Sequence, residues 1–138
     1  MSRFERLVCA AFLLIVSAGA IIAGDGVPKV GEARPTWTDL PGTDGKNHSL
    51  SDLKDKDVVI VVIVSNRCPV SQEYIDRLKD FAAKNSGPKG KVALVAISVS
   101  REETDSIERM KDVATEKGIN YLYLRDESQK SGKSLGAT

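Results

Sequence analysis

The chain has 138 residues, with 20 lysine and arginine residues, 19 aspartate and glutamate residues and two cysteines. This length allows one domain at most. The formal net charge of +1 gives no electrostatic basis for binding nucleic acid, and the composition is that of an ordinary globular domain.

The first 23 residues differ from the rest of the chain. Arg3 and Arg6 precede an apolar stretch from Leu7 to Ala23, which is typical of a secretory signal peptide. Cleavage would suit Ala18-Gly19-Ala20 or Ala23-Gly24, where small residues occur. The alternative is an uncleaved membrane anchor, because the stretch reaches the lower length limit of a spanning helix. We therefore expect an exported protein, periplasmic or secreted, that contacts a membrane only through this segment.

Removal of residues 1–23 would also remove Cys9 and leave Cys68 as the only cysteine. A secreted chain with one cysteine has no internal disulfide framework. Its thiol is free and reactive, or it is paired with another molecule.

Residues 24–35 lack periodicity and are interpreted as a linker, so the domain is expected over residues 36–138. Pro41 to Gly45 are turn residues between two short extended pieces, which predicts a hairpin. Ser51 to Asp57 is polar and predicts a helical turn.

Seven consecutive valine and isoleucine residues, Val58 to Val64, predict a strand that is covered on both faces, as in a parallel sheet. An amphipathic helix is predicted soon after it. The apolar positions of this helix are Val70, Tyr74, Leu78, Phe81 and Ala82. Pro69 suits the first helical position because it has no amide hydrogen to lose. Cys68 is therefore expected at or next to the N-cap.

Two further strands are predicted, from Val92 to Val99 and from Tyr121 to Leu124. Ser100 with Glu103 has the spacing of a capping box, and the helix that it would open closes near Gly118. Charged residues of that helix and its approach are expected to face solvent. They include Asp105, Glu108, Arg109, Lys111 and Asp112.

Asp126 with Gln129 resembles another helix cap, which predicts a short final helix that reaches Leu135. Tyr121 and Tyr123 alternate on their strand and are expected to pack in the core or on the sheet. The regular alternation of strands and helices predicts an α/β layer fold with parallel strands and right-handed crossovers.

Cys68 is the candidate for a reactive site. Reactive groups in open parallel sheets lie beyond the carboxyl ends of the strands, which is where Cys68 is expected. Unpaired amides and the helix dipole favour a thiolate at a helix start, and such surroundings lower a cysteine pKa from about 8.5 to roughly 3.5–7.5. Arg67 adds a positive charge beside it, and Ser71, near the third helical position, is placed to donate a hydrogen bond.

Five stretches of the chain together form a recognisable combination. They are Asp44 to Leu50, Val58 to Val64, Asn66 to Ser71, Tyr121 to Asp126 and Leu135 to Thr138. In these stretches the chain resembles the thioredoxin-fold redoxins, which include alkyl hydroperoxide reductase/thiol-specific antioxidant proteins and exported thiol-disulfide oxidoreductases. The resemblance covers about Val30 to Thr138 and implies a thioredoxin-like fold with an N-terminal hairpin.

Three departures from the family pattern shape the functional prediction. Ser71 stands where dithiol members have a second cysteine, so a resolving thiol must come from a small thiol or a partner protein. Ser65 matches the threonine or serine of the peroxidatic motif and would orient a peroxide or substrate, but Val61 stands at the motif's proline position. The family also continues into a cis-proline and two more strands, so the domain ending at Thr138 is expected to be incomplete.

The predicted function is that of an exported thiol-based redox protein, an oxidoreductase with or without antioxidant activity, in which Cys68 attacks a disulfide or a peroxide. Its predicted catalytic residues are Cys68, Arg67, Ser71, Ser65 and Pro69. The alternative is a non-enzymatic thioredoxin-like binding or structural module, in which Cys68 is a vestigial, buried apolar residue. No constellation of residues supports a haem, a flavin, a metal or another cofactor.

Overall fold

The computed structural model describes residues 29–32, 36–87 and 89–137. The predicted signal segment and part of the predicted linker lie outside the described residues. Within the described part, no helix combines the length and the apolar character that crossing a bilayer requires.

A small hairpin opens the described domain. Strand β1 (Leu40–Pro41) pairs antiparallel with β2 (Asn47–His48), and the Gly42 N–H donates to the Lys46 carbonyl across the turn at 2.7 Å. A 3-10 turn, Leu50–Leu53, follows. The predicted hairpin and the predicted helical turn are both confirmed.

The main sheet has three parallel strands in the order β3-β4-β5, and β4 lies in the middle. The strands are β3 (Val58–Val64), β4 (Val92–Ser98) and β5 (Leu122–Arg125). Helix α1 (Pro69–Asn85) connects β3 to β4, and α2 (Ile107–Lys117) connects β4 to β5. The prediction of an α/β fold with parallel strands and crossover helices is confirmed.

The expectation that β3 is covered on both faces is met in part, because Val59 and Val61 pack against one core cluster and Val64 packs against the other, but all three are only partly buried. Within the described residues β3 pairs with β4 on one edge and with no strand on the other, and none of its residues is fully buried. The most buried strand is β4, in which every residue after Val92 is buried. A run of valine and isoleucine identifies a strand of a parallel sheet, but it does not show which strand occupies the centre.

Fewer of the apolar residues of helix α1 are buried than the amphipathic pattern predicts. Ile75 and Ala82 are buried, whereas Val70, Tyr74 and Phe81 are exposed. The apolar residues span a wide arc of the helix, and the described sheet covers only one side of it.

The start of α2 differs from the prediction. Ser106, not Ser100, is the N-cap, and its side chain accepts a hydrogen bond from the Arg109 N–H. Ser100 Oγ instead accepts from the Glu102 N–H at 3.2 Å, just before a 3-10 turn, Glu103–Asp105. The predicted end of the helix is confirmed, because Gly118 adopts a left-handed conformation with φ of 61°.

The last helix, α3 (Lys130–Ser134), is present as predicted, but its cap differs. Gln129 occupies the N-cap with φ of 60°, and the buried carboxylate of Asp126 accepts from the N–H groups of Ser131 and Gly132. Two core clusters hold these elements together. One contains Trp37, Val95, Ile97 and Leu124, and the other contains Ala96, Met110 and Tyr123.

Candidate functional site: a cysteine at the start of helix α1

Cys68 is the N-cap of helix α1 and Pro69 is the first helical residue, as predicted. The Gln72 N–H donates to the Cys68 carbonyl at 3.1 Å and begins the helical hydrogen bonds. Cys68 is a free thiol in a partly exposed residue. This partial exposure argues against a purely structural role as a buried apolar residue.

The pKa of the Cys68 thiol is lowered from its ordinary value. The largest cause is the backbone N–H of Ser71, followed by the Ser71 hydroxyl, while partial desolvation opposes the change and the Val70 N–H contributes less. These two amides belong to the first helical turn, where backbone donors have no partner within the helix. In the described structure Sγ makes no capping hydrogen bond of standard geometry.

Arg67 lies beside Cys68 in sequence, but its guanidinium is engaged elsewhere. Its Nη1 donates to the Glu102 carboxylate at 3.2 Å, and both side chains are more than half exposed. Among the described residues, Arg67 is not one of those that lower the pKa of Cys68. Its assistance to the thiolate therefore stays a prediction.

Ser65 is the first residue after β3, and its hydroxyl forms hydrogen bonds within the protein. Its Oγ donates to Asp105 Oδ2 at 2.9 Å and accepts from the Arg67 N–H at 3.2 Å. A substrate-orienting role for Ser65 stays a prediction, and hydrogen-bond donation to a peroxide would require its hydrogen to leave Asp105.

Asp105 contradicts the expectation of a solvent-facing residue, because it is fully buried. Its carboxylate accepts hydrogen bonds from the Ser65 hydroxyl, the Asn66 N–H and the Ser98 hydroxyl at 2.8–2.9 Å. Asp105 follows the end of β4, so the carboxyl ends of two adjacent strands meet at this carboxylate. The charged residues around Asp105 in the sequence are typical of an exposed segment, so its burial could not be predicted from them.

Tyr123 packs in the core, as expected of a residue on β5, but it also reaches the cysteine loop. Its hydroxyl donates to Asn66 Oδ1 at 2.8 Å. Burial, together with the nearby Asp105 carboxylate and Tyr121, raises the pKa of Tyr123. The hydroxyl is therefore a neutral donor that helps to fix the loop, a role that the sequence pattern did not reveal.

The cavity next to the loop is too small for a substrate. It has a volume of about 10 Å³ and lies between the loop, α1 and β5, which is room for about one water molecule. Its lining includes Ser65, Asn66, Ser71, Gln72 and Tyr123 but not Cys68. A reacting molecule would therefore approach Cys68 from the solvent side.

Within residues 29–32, 36–87 and 89–137, no group of three or more histidine, cysteine or acidic side chains could hold a metal ion. Cys68 is the only cysteine among these described residues.

Comparisons with known proteins identify the fold and the family of the chain. Solved structures of proteins from Sinorhizobium meliloti and Geobacillus kaustophilus share 27% and 31% identity with the chain, each with a TM-score of 0.70. They cover 80% and 81% of this chain, which spans 61% and 64% of theirs. A thiol:disulfide interchange protein of the thioredoxin family from Chlorobium tepidum has 21% identity and a TM-score of 0.58, with 77% of this chain and 66% of that chain covered.

The chain thus spans less than two thirds of the length of each of these three structures. No curated protein matches it. The fold is thioredoxin-like, as predicted. The family model described as Redoxin matches residues 7–138, and the chain therefore belongs to the Redoxin family.

Proposed function

We propose that this chain is an exported thiol-disulfide redox protein in which Cys68 is the single attacking sulfur. The observation that carries the proposal is the position of a partly exposed, free cysteine at the N-cap of α1, where the Ser71 N–H and hydroxyl lower its pKa. A lowered pKa raises the fraction of thiolate at neutral pH, and the thiolate is the nucleophile in disulfide exchange.

The reaction would proceed through a mixed disulfide. The Cys68 thiolate attacks one sulfur of a substrate disulfide, the new S–S bond forms, and the other substrate sulfur leaves as a thiolate that takes a proton from water. Because Ser71 replaces a second cysteine, an external thiol then attacks the Cys68 sulfur and releases the first substrate sulfur. A second external thiol regenerates Cys68, so two external thiols are oxidised to one disulfide for each substrate disulfide reduced.

Two observations favour a disulfide over a peroxide as the substrate. The hydroxyl hydrogen of Ser65, which would face a peroxide oxygen, is donated to Asp105. The sulfur also lies outside the small cavity beside the loop, and an open approach suits a disulfide carried by a protein or a small molecule. Reduction of a peroxide, through a sulfenic acid at Cys68, is the second candidate because Ser65 occupies the serine or threonine position of the peroxidatic motif.

The predicted signal segment in residues 1–23 supports export, and the resolving reductant is then a small thiol or a partner protein with a reactive thiol. A test of export would express the full chain with a C-terminal tag and compare periplasmic and cytosolic fractions. Loss of 18–24 N-terminal residues by mass spectrometry would indicate cleavage, whereas retention of full mass in the membrane fraction would indicate an anchor.

The proposed activity is tested by turnover of a small aromatic disulfide and of hydrogen peroxide, each with excess glutathione. Wild-type protein is compared with Cys68→Ser, which keeps the shape of the N-cap residue but removes the sulfur. We expect disulfide turnover above the uncatalysed rate that Cys68→Ser abolishes. Equal rates for the two proteins with both substrates would favour the non-enzymatic binding module.

A further inference from the structure

The buried carboxylate of Asp105 has a role beyond the core. Asp105 has no exposed surface, and within the described residues it forms no ion pair with lysine, arginine or histidine. Its partners are hydrogen-bond donors from three segments. They are the Ser65 hydroxyl at 2.9 Å, the Asn66 N–H at 2.8 Å, the Ser98 hydroxyl at 2.8 Å and the Thr104 hydroxyl at 3.5 Å.

Two of these donors belong to the loop that carries Cys68. The Ser65 carbonyl accepts from the Cys68 N–H at 3.1 Å, and Ser65 Oγ accepts from the Arg67 N–H. Both polar atoms of the Asn66 amide are also hydrogen-bonded, because Nδ2 donates to the Thr104 carbonyl at 2.7 Å and Oδ1 accepts from the Tyr123 hydroxyl. The backbone from 65 to 68 is thus fixed by contacts that converge on Asp105 and its neighbours.

We propose that Asp105 is a positioning residue for Cys68, which holds the loop at residues 65–66 so that the sulfur lies against the first turn of α1. Asp105 does not touch the sulfur or a substrate. A buried carboxylate left without its donors, or donors left without the carboxylate, would be costly, so the loop has one strongly favoured arrangement. This role rests on the proposed thiol chemistry of Cys68, but it concerns the position and the ionisation of the sulfur before any substrate binds.

Positioning and simple electrostatics predict opposite results for Asp105→Asn. If the negative charge acted directly on the sulfur, its removal would favour the thiolate and lower the pKa of Cys68. If Asp105 positions the loop, the asparagine side chain would place an NH2 group against the donors of Ser65 and Asn66. The loop would then shift, and the pKa of Cys68 would rise. We expect the rate of iodoacetamide alkylation at pH 7 to fall by up to about threefold, which is the upper limit for a rise of half a pKa unit.

The measurement is the alkylation rate of Cys68 against pH in the full chain without substrate. Peptide mass spectrometry follows Cys68 separately from Cys9, and the ultraviolet absorbance of the thiolate gives the same midpoint independently. An unchanged or lowered midpoint in folded Asp105→Asn overturns the proposal.

A matched pair of serine variants decides the matter if Asp105→Asn does not fold. Ser65→Ala and Ser98→Ala each remove one hydroxyl that donates to Asp105 at nearly equal distance, but only Ser65 belongs to the cysteine loop. We expect a raised midpoint for Ser65→Ala and a wild-type midpoint for Ser98→Ala. Equal midpoints in the two variants, raised or not, overturn the proposal. Because no substrate is used, these outcomes are independent of whether Cys68 turns over a disulfide.

Discussion

Ser71 Oγ accepts a hydrogen bond from the backbone N–H of Ser65 at 3.3 Å. This contact joins the end of strand β3 to the first turn of helix α1, across the loop that carries Cys68. Because the oxygen is the acceptor in this contact, the hydroxyl hydrogen stays available to another acceptor. The Ser71 hydroxyl is indeed the second largest cause of the lowered Cys68 pKa, after the Ser71 N–H.

The first prediction follows from this double role. Ser71→Ala removes the hydroxyl but keeps the backbone N–H, so the pKa of Cys68 should rise part of the way to its ordinary value. We expect the alkylation rate at pH 7 to fall by up to about threefold, which is the largest change in thiolate fraction that half a pKa unit can cause. Ser51→Ala, in the exposed part of the 3-10 turn before β3, is the control and should react like wild type. An alkylation midpoint in Ser71→Ala equal to that of wild type would show that the Ser71 hydroxyl does not lower the pKa of Cys68.

Arg67 is expected to affect the sulfur less than Ser71 does. Its guanidinium is paired with Glu102 and both side chains are largely exposed, so its field at the sulfur is weakened by solvent and salt. Arg67→Gln should raise the alkylation midpoint less than Ser71→Ala, and the difference from wild type should vanish at high ionic strength. Glu102→Gln is the companion variant, because it releases the guanidinium without removing it. An effect of Arg67→Gln larger than that of Ser71→Ala would restore Arg67 as the main source of thiolate stabilisation.

A third prediction concerns the missing resolving thiol. Ser71→Cys creates a Cys-x-x-Cys arrangement across the helix start, and the second thiol can attack the mixed disulfide at Cys68. We expect the oxidised variant to lose two hydrogens in mass, with Cys68 and the introduced cysteine joined in one linked peptide. Release of substrate should then no longer depend on the concentration of external thiol. Ser51→Cys supplies the same number of cysteines away from the helix start and should show neither change.

The sequence was sufficient for features that depend on neighbouring residues. The strand from Val58 to Val64, the proline at the first helical position and the N-cap cysteine all follow from local composition and backbone preferences, and the structure has all three. The capping serine of α2 was misplaced because Ser100 and Ser106 both precede helix-forming residues. Only the observed 3-10 turn between them decides which one caps the helix.

The features that the sequence did not predict depend on residues that are distant along the chain. Asp105 is separated from Ser65 by 40 positions. Its neighbours in the sequence are charged, which predicts an exposed residue. Its burial instead results from the pairing of β4 with β3, which brings the segments after the two strands together. The hydrogen bond from Tyr123 to Asn66 spans 57 positions. Periodicity correctly predicts that Tyr123 packs inward, but it does not predict where the hydroxyl finds an acceptor.

The last prediction concerns the acid stability of the domain through Asp126, which is almost completely buried. Burial disfavours its charged form, but hydrogen bonds from the Ser128 and Ser131 hydroxyls and from the Gly132 and Ser131 N–H groups outweigh burial and lower the pKa. An aspartate in the unfolded chain titrates near 3.9. Because the folded pKa is below that value, the ionised group stabilises the fold above about pH 4, and this contribution is lost as the pH falls through the folded pKa.

Asp126→Asn should therefore lower the free energy of unfolding at neutral pH by about 1–3 kcal/mol, since buried donors lose their acceptor. The difference from wild type should shrink as the pH falls below about 4, because wild-type Asp126 then takes up its proton. Urea unfolding followed by circular dichroism at a series of pH values measures this difference. Asp76→Asn is the control, because Asp76 pairs with Lys79 through a side chain that is 89% exposed and should change the stability little. A difference that stays constant or grows in acid would show that the carboxylate of Asp126 is not the source of the acid sensitivity.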